Sequence, residues 1–124
     1  MDTNLSYTSE HEWVRFDEDA KTATIGVTDY AAKQLGDVVY LDLPEAGSDI
    51  AAGETMGEIE STKSVSDLYA PISGSVIEVN DAVVSSPELV NSDPFDEGWL
   101  IKASYTDIPE DLMNADQYTE FIGA

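Results

Sequence analysis

Residues 60–74 read ESTKSVSDLYAPISG, and they set Lys63 among small hydroxyl side chains in a chain of 26 acidic and only five basic residues. Serine and threonine on either side leave the amine unhindered. Glu58, Glu60 and Asp67 are close in sequence without being adjacent to it. A primary amine on a tight turn suits covalent modification, because a rigid backbone presents it while the side chain projects into water. A group attached there would swing, and tethering makes each encounter with a docked partner effectively intramolecular. Lipoamide and biotin are carriers of this kind. An ordinary exposed lysine in a turn fits the same stretch, and the local pattern alone leaves both open.

Other chemistries are poorly supported. His11 is the only histidine, beside Glu12 and Trp13, and no nucleophile elbow accompanies it. Acid runs such as Asp17-Glu18-Asp19 read as solvated turns, and carboxylates are too numerous to nominate a catalytic pair. NSDPFDEG has oxygen ligands without the spacing or terminal glutamate of an EF-hand. No glycine-rich phosphate loop is present. The absence of cysteine excludes disulfides and a cysteine-based zinc site. The chain is poorly equipped to be a stand-alone enzyme.

The elements that must position Lys63 are mostly strands. HEWVRF and TATIGVT flank the acidic turn DEDAK as a first hairpin. TDYAAKQLG predicts a short helix near 28–35, with Thr28 as N-cap, Asp29 in the first turn and Gly36 at the stop. DVVYLDL alternates as a strand with Val39, Leu41 and Leu43 on one face. Strands at about 54–61 and 65–70 are too close for a crossover, so they form an antiparallel hairpin with its tip at 61–64. PISG turns the chain again, SVIEV is a strand and GWLIKASY the last. The tail predicts helices over about 108–122. Asp107 and Glu110 would form a capping box with Pro109 in the first turn, and Asn114 would break the run, leaving ADQYTEFI as a second piece. A weak repeat relates GDVVYL at Gly36 to GSVIEV at Gly74.

The 124 residues suit a single domain spanning 1–124, with 42% hydrophobic residues for a core. A net charge of −21 argues against nucleic acid and against an anionic membrane. Attraction to basic partners and plain solubility both account for the acid excess. No signal peptide and no membrane span are evident, so a soluble intracellular protein is expected.

The motifs together carry a resemblance. SEHEWV stands where the H-protein family of the glycine cleavage system has SHEW, and ATIGVTDYAAKQLGDVVYLDLPEAG is similar to that family's N-terminal half. ESTKSVSDLYAPISGSVIEVN resembles its lipoylation hairpin, and ELVNSDPFDEGWLIK its C-terminal signature. The match runs from about Tyr7 through the last helix, in order. It implies a mainly β fold of two antiparallel sheets, a lipoyl/biotinyl barrel-sandwich hybrid with short helices added. It implies lipoate in amide linkage to Lys63, on a carrier that catalyses nothing itself. The arm would take an aminomethyl group from glycine decarboxylase (P-protein) to the tetrahydrofolate-dependent aminomethyltransferase (T-protein). Dihydrolipoamide dehydrogenase (L-protein) would reoxidise it, and lipoate-attaching enzymes would load it.

By the same resemblance, Glu12 and Asp67 match positions at a cleft where the loaded arm docks. A carboxylate there would favour a cationic amine. Glu12 at a strand start facing solvent is the plainer alternative. Gln34 departs from members that have histidine at that position, which puts any role of that histidine in doubt. A monomer is expected, in the cytoplasm, or in the mitochondrial matrix if a transit peptide has been removed. A biotin carrier is disfavoured because Thr62 and Ser64 stand where methionines would flank its lysine. A lipoyl domain of a 2-oxoacid dehydrogenase, an H-like relay of lipoyl groups, and an acidic binding module with unmodified Lys63 remain as rivals.

Overall fold

The computed structural model describes residues 5–123; residues 1–4 and 124, which the single-domain expectation includes, lie outside the described residues. In chain order the elements are β1 (Ser6–Tyr7), β2 (Glu12–Asp17), β3 (Thr22–Val27), α1 (Asp29–Leu35), β4 (Val38–Asp42), β5 (Asp49–Ile50) and β6 (Thr55–Ser61). There follow β7 (Val65–Tyr69), β8 (Gly74–Val79), α2 (Asp81–Ser85), α3 (Leu89–Ser92), β9 (Ile101–Ser104) and α4 (Ala115–Phe121). One antiparallel sheet has six strands in the order β1-β2-β3-β9-β8-β5, and a second has three in the order β4-β6-β7.

The two sheets meet through their apolar faces, as a sandwich requires. Val14, Ile25, Val76 and Ile101 from the larger sheet share one core with Leu41, Ile59 and Leu68 from the smaller. Each such side chain contributes roughly 1.5–3 kcal/mol on burial, which holds the sheets together without any disulfide. A second apolar cluster joins Leu5, Tyr7, Trp13, Ala115 and Tyr118 at the end where α4 packs.

The first hairpin forms as the alternation predicts, with Trp13 opposite Gly26 and Phe16 opposite Ala23. Helix α1 begins as predicted too: Ala31 N–H donates to Thr28 Oγ1 at 3.2 Å. At the other end the Gly36 N–H donates to the Ala32 carbonyl.

Two expectations are corrected. In DVVYLDL the inward residues are Val38 and Leu41, whereas Val39 is 54% exposed. The pairing with β6 shifts register between Val38 and Tyr40, and this bulge displaces the simple alternation by one residue. The tail is not helical from 108. Met113 instead exchanges backbone hydrogen bonds with Tyr7, both at 2.8 Å. Asn114 does divide the tail and leave ADQYTEFI as a helical piece, and it does so as that helix's N-cap: its side chain accepts from Gln117 N–H while the Gln117 side chain accepts from Asn114 N–H. The box Asn-x-x-Gln therefore outcompetes Asp107 and Glu110, because extended pairing with β1 occupies the residue just before it. The C-terminal helices reduce to α4.

The short strands β1 and β5 and helices α2 and α3 carry no strong local pattern, and sequence reading missed them. The weak repeat places β4 and β8 in different sheets. Its glycines do different work: Gly36 takes φ +80°, while a Cβ on Gly74 would collide with the Ser104 carbonyl oxygen.

Candidate functional site

The tip between β6 and β7 is a built turn, and Ser61 builds it. Ser61 Oγ accepts from the backbone N–H groups of Lys63 at 3.1 Å and Ser64 at 3.2 Å. Ser61 N–H donates to the Ser64 carbonyl at 2.8 Å. A serine hydroxyl bonding backbone two residues on is a favoured turn device, which explains the small polar sequence here. Thr62 N–H donates to the Asp37 carbonyl at 3.0 Å, so the tip is also tied to the loop after α1. Ser61→Ala removes one acceptor serving two amides, worth about 1 kcal/mol. Amide exchange at Lys63 and Ser64, followed by NMR, is expected to quicken roughly fivefold; unchanged rates would discount this account of the turn.

Lys63 is exposed. Among the described residues the ion pair Lys102–Glu78, at 3.9 Å, does not involve it. Its stem lies over Gly36: a Cβ at position 36 would approach Lys63 Cε to 3.2 Å. That glycine thus serves twice, admitting a left-handed backbone and leaving room for the lysine. The gap and the unpaired primary amine suit an acyl chain in amide linkage at Nζ.

Beside that gap, Gln34 and Leu35 line a cavity of about 360 Å³ between α1, the turn before β2 and the β6–β7 hairpin. Val27, Ala31, Ile59 and Leu68 supply apolar wall, enough for a hydrocarbon chain. His11, Glu12, Gln34 and Asp67 supply the polar lining. The structure therefore brings Glu12, Asp67 and Gln34 to one cavity, while Lys63 packs its stem on Gly36, which lines a separate cavity with Asp29, Lys33 and Asn91.

Glu12 does not face solvent; it is 2% exposed. Thr8 Oγ1 donates to its Oε1 at 2.6 Å and Tyr69 N–H donates to Oε2 at 3.4 Å. Burial pushes the carboxyl up to about 7; those two hydrogen bonds oppose the rise and the neighbouring Glu10 charge adds to it. The group is thus half-ionised near neutrality. A second cavity of about 200 Å³, on the side of Ala52, Tyr69 and the 109–112 tail, also reaches Glu12. Asp67 is exposed and pairs across the strands with Glu58. Thr8 and Tyr118 were not anticipated. Thr8 belongs to the turn four residues before Glu12, and no local pattern marks a hydroxyl as a carboxylate partner.

His11 has a structural setting. Its Nδ1 lies 2.7 Å from Tyr118 Oη, and burial lowers its pKa, partly offset by Glu10. It adopts φ 68°, a conformation in which histidine is enriched among non-glycine residues. Among the described residues no cluster of three or more candidate metal ligands occurs, and no helix is long and apolar enough to cross a membrane.

Comparison with known proteins gives one answer throughout. The family model described as glycine cleavage H-protein matches residues 5–124. A glycine cleavage system H protein of Streptomyces coelicolor is 58% identical over 97% of this chain and 95% of its own. Its counterpart in Staphylococcus carnosus is 49% identical over 96% of this chain and 94% of its own. The crystal structure of a glycine cleavage system H protein from Mycobacterium marinum superposes with a TM-score of 0.93 at 41% identity, covering 100% of both chains.

Proposed function

Because this chain belongs to the glycine cleavage H-protein family, a family of lipoate carriers rather than catalysts, we propose that Lys63 carries the lipoyl group and that Glu12 and Asp67 receive its loaded end. The arm then serves glycine decarboxylase, the tetrahydrofolate-dependent aminomethyltransferase and dihydrolipoamide dehydrogenase in turn. When bound, lipoate supplies the sulfur pair that takes up and surrenders the one-carbon amine and is afterwards reoxidised. Every other part of the task falls to the chain's own groups.

The observation that carries the reading is the placement of Lys63. Its amine is exposed on a turn ordered by Ser61, its stem packs on Gly36, and the β6–β7 hairpin that carries it also supplies Ile59, Ser66, Asp67 and Leu68 to the cavity. The turn presents the amine to a lipoate-attaching enzyme without local rearrangement. The apolar wall accepts the chain of the arm and excludes water. Glu12, ionisable near neutrality, and Asp67 offer carboxylates to a cationic end. Gln34 contributes an amide at the same cavity, so it offers hydrogen bonds and no charge.

Attachment is tested directly by mass spectrometry of protein purified from lipoate-competent cells. A lipoyl adduct confined to the peptide containing Lys63 is the expected result. An unmodified Lys63 peptide, with the attachment machinery active on another substrate, would remove the carrier reading for this residue.

A further inference from the structure

We infer that Tyr118 is a positioning residue for the cleft: its hydroxyl, bonded at once to His11 and Thr28, sets the angle between the two walls that enclose Glu12. The inference rests on the reading of that cleft as the resting place of the loaded arm.

Tyr118 is fully buried in the second apolar cluster, where its ring stacks on Tyr7 with centroids 4.7 Å apart. Packing therefore accounts for the ring. The hydroxyl has another destination: it lies 2.7 Å from His11 Nδ1 and 2.9 Å from Thr28 Oγ1. Those residues belong to different walls. Thr28 caps α1 by accepting from Ala31 N–H at 3.2 Å, and α1 supplies Ala31, Gln34 and Leu35 to the cavity. His11 immediately precedes Glu12 in the turn that forms the opposite side.

A phenol has one proton and two lone pairs, so it serves both neighbours without leaving its own proton unpartnered only as one donor and one acceptor. With His11 neutral and accepting at Nδ1, Thr28 donates to Tyr118 and Tyr118 donates to His11. Each of these protons then has a partner, and Thr28 Oγ1 still accepts from Ala31. A backbone bond already ties the walls, Thr28 N–H donating to the His11 carbonyl at 3.1 Å. That bond continues the β2–β3 ladder, in which Glu12 pairs with Val27; the side-chain relay adds a contact beyond the ladder's end, where the turn before β2 and the start of α1 diverge. His11 sits at φ 68°, and ring contacts to Tyr30 at 5.0 Å and Phe121 at 6.0 Å brace it there. The direction of the Glu12 side chain follows from that backbone. The far C-terminal helix thus reaches the cleft through the Tyr118 hydroxyl as well as through ring contacts to His11.

The experiment compares Tyr118→Phe, Thr28→Ser and Glu12→Gln in the lipoylated full chain. Each is loaded by glycine decarboxylase, and loss of ammonia and formaldehyde to water is timed without the aminomethyltransferase. Amide exchange at Ala31, Ala32 and Glu12 is measured in the same proteins before lipoylation, well below their melting temperatures. Tyr118→Phe keeps the stacked ring and loses only the oxygen. It is expected to be lipoylated at the ordinary rate, to shorten the adduct lifetime roughly five- to tenfold, and to quicken exchange at those amides by a similar factor. Thr28→Ser keeps both bonds and should leave lifetime and exchange as they are. An unchanged lifetime in Tyr118→Phe, with a shortened one in Glu12→Gln, would overturn the inference and leave the cleft reading standing. If neither variant shortens it, the cleft reading fails. The coupling of the walls is then upheld by faster exchange in Tyr118→Phe and refuted by unchanged exchange.

Discussion

Lys63→Arg is expected to abolish glycine cleavage in a reconstituted system while leaving the fold intact. A guanidinium stays protonated and forms no stable acyl bond under the conditions in which an amine is acylated. Nothing in the tip depends on the lysine side chain: its hydrogen bonds come from Ser61, Ser64, Thr62 and Asp37. Stability should therefore move by no more than about 0.5 kcal/mol, the usual effect of an exposed substitution. Activity should fall to background, at least ~10³-fold, because the tether's millimolar effective concentration is lost as well as the carrier sulfurs. Carbon dioxide release from glycine, with urea unfolding as the fold control, measures both. Retained activity would move the attachment point away from Lys63.

Glu12→Gln is expected to stabilise the unlipoylated protein at alkaline pH while shortening the life of the loaded arm. The folded carboxyl titrates at about 7 against an ordinary value of 4.5. Between those values the folded state holds a proton that the unfolded state has released. Stability from this group is therefore greatest at the acid end of the window and falls as pH rises through 7. Above pH 8 the buried charge costs on the order of 3 kcal/mol, which the amide avoids in part. Urea unfolding at pH 5.5, 7 and 8.5 should show the variant gaining on the parent as pH rises. Using the difference removes the contribution of the other carboxylates of a strongly acidic chain. A gap that is constant with pH would mean that Glu12 titrates as an exposed acid does.

The same burial has a functional side. A cation arriving in the cleft finds a carboxylate already stripped of water, so the charge-assisted bond is worth about 1.5–3 kcal/mol. Its loss in Glu12→Gln should shorten adduct lifetime roughly 10- to 100-fold. A docked cation also favours the ionised carboxyl, so loading should release protons near pH 7. The cost of holding Glu12 in the empty protein is what makes the site ready for charge.

Much of this was legible in the residues, for reasons that differ by element. The Lys63 hairpin could be read because two strand signals lie so close together that the connection between them is too short for anything else. The two ends of α1 could be read because Thr28 and Asp29 at the start and Gly36 at the stop are local signals, each acting within one helical turn. The run of motifs from SEHEWV to GWLIK carried the family. Val39 was misplaced because the bulge between Val38 and Tyr40 breaks the alternation there, while Leu41 and Leu43 beyond it face the core as expected. The tail was misread because a capping box at Asp107 and one at Asn114 are equally good locally, and pairing of Met113 with Tyr7 chooses between them.

The sequence by itself determined the chemistry available: one unhindered amine on a turn, no thiol, many carboxylates, and strands to hold them. Only the tertiary structure decided which carboxylate is special. Glu12 and Asp67 are both acids within strands, yet one is 2% exposed with two hydrogen bonds and the other is open to water. That difference arises from packing β2 between β1 and β3 while Thr8 and Tyr69 close over it. Desolvation depends on atoms brought from far along the chain, and no local pattern of residues encodes it.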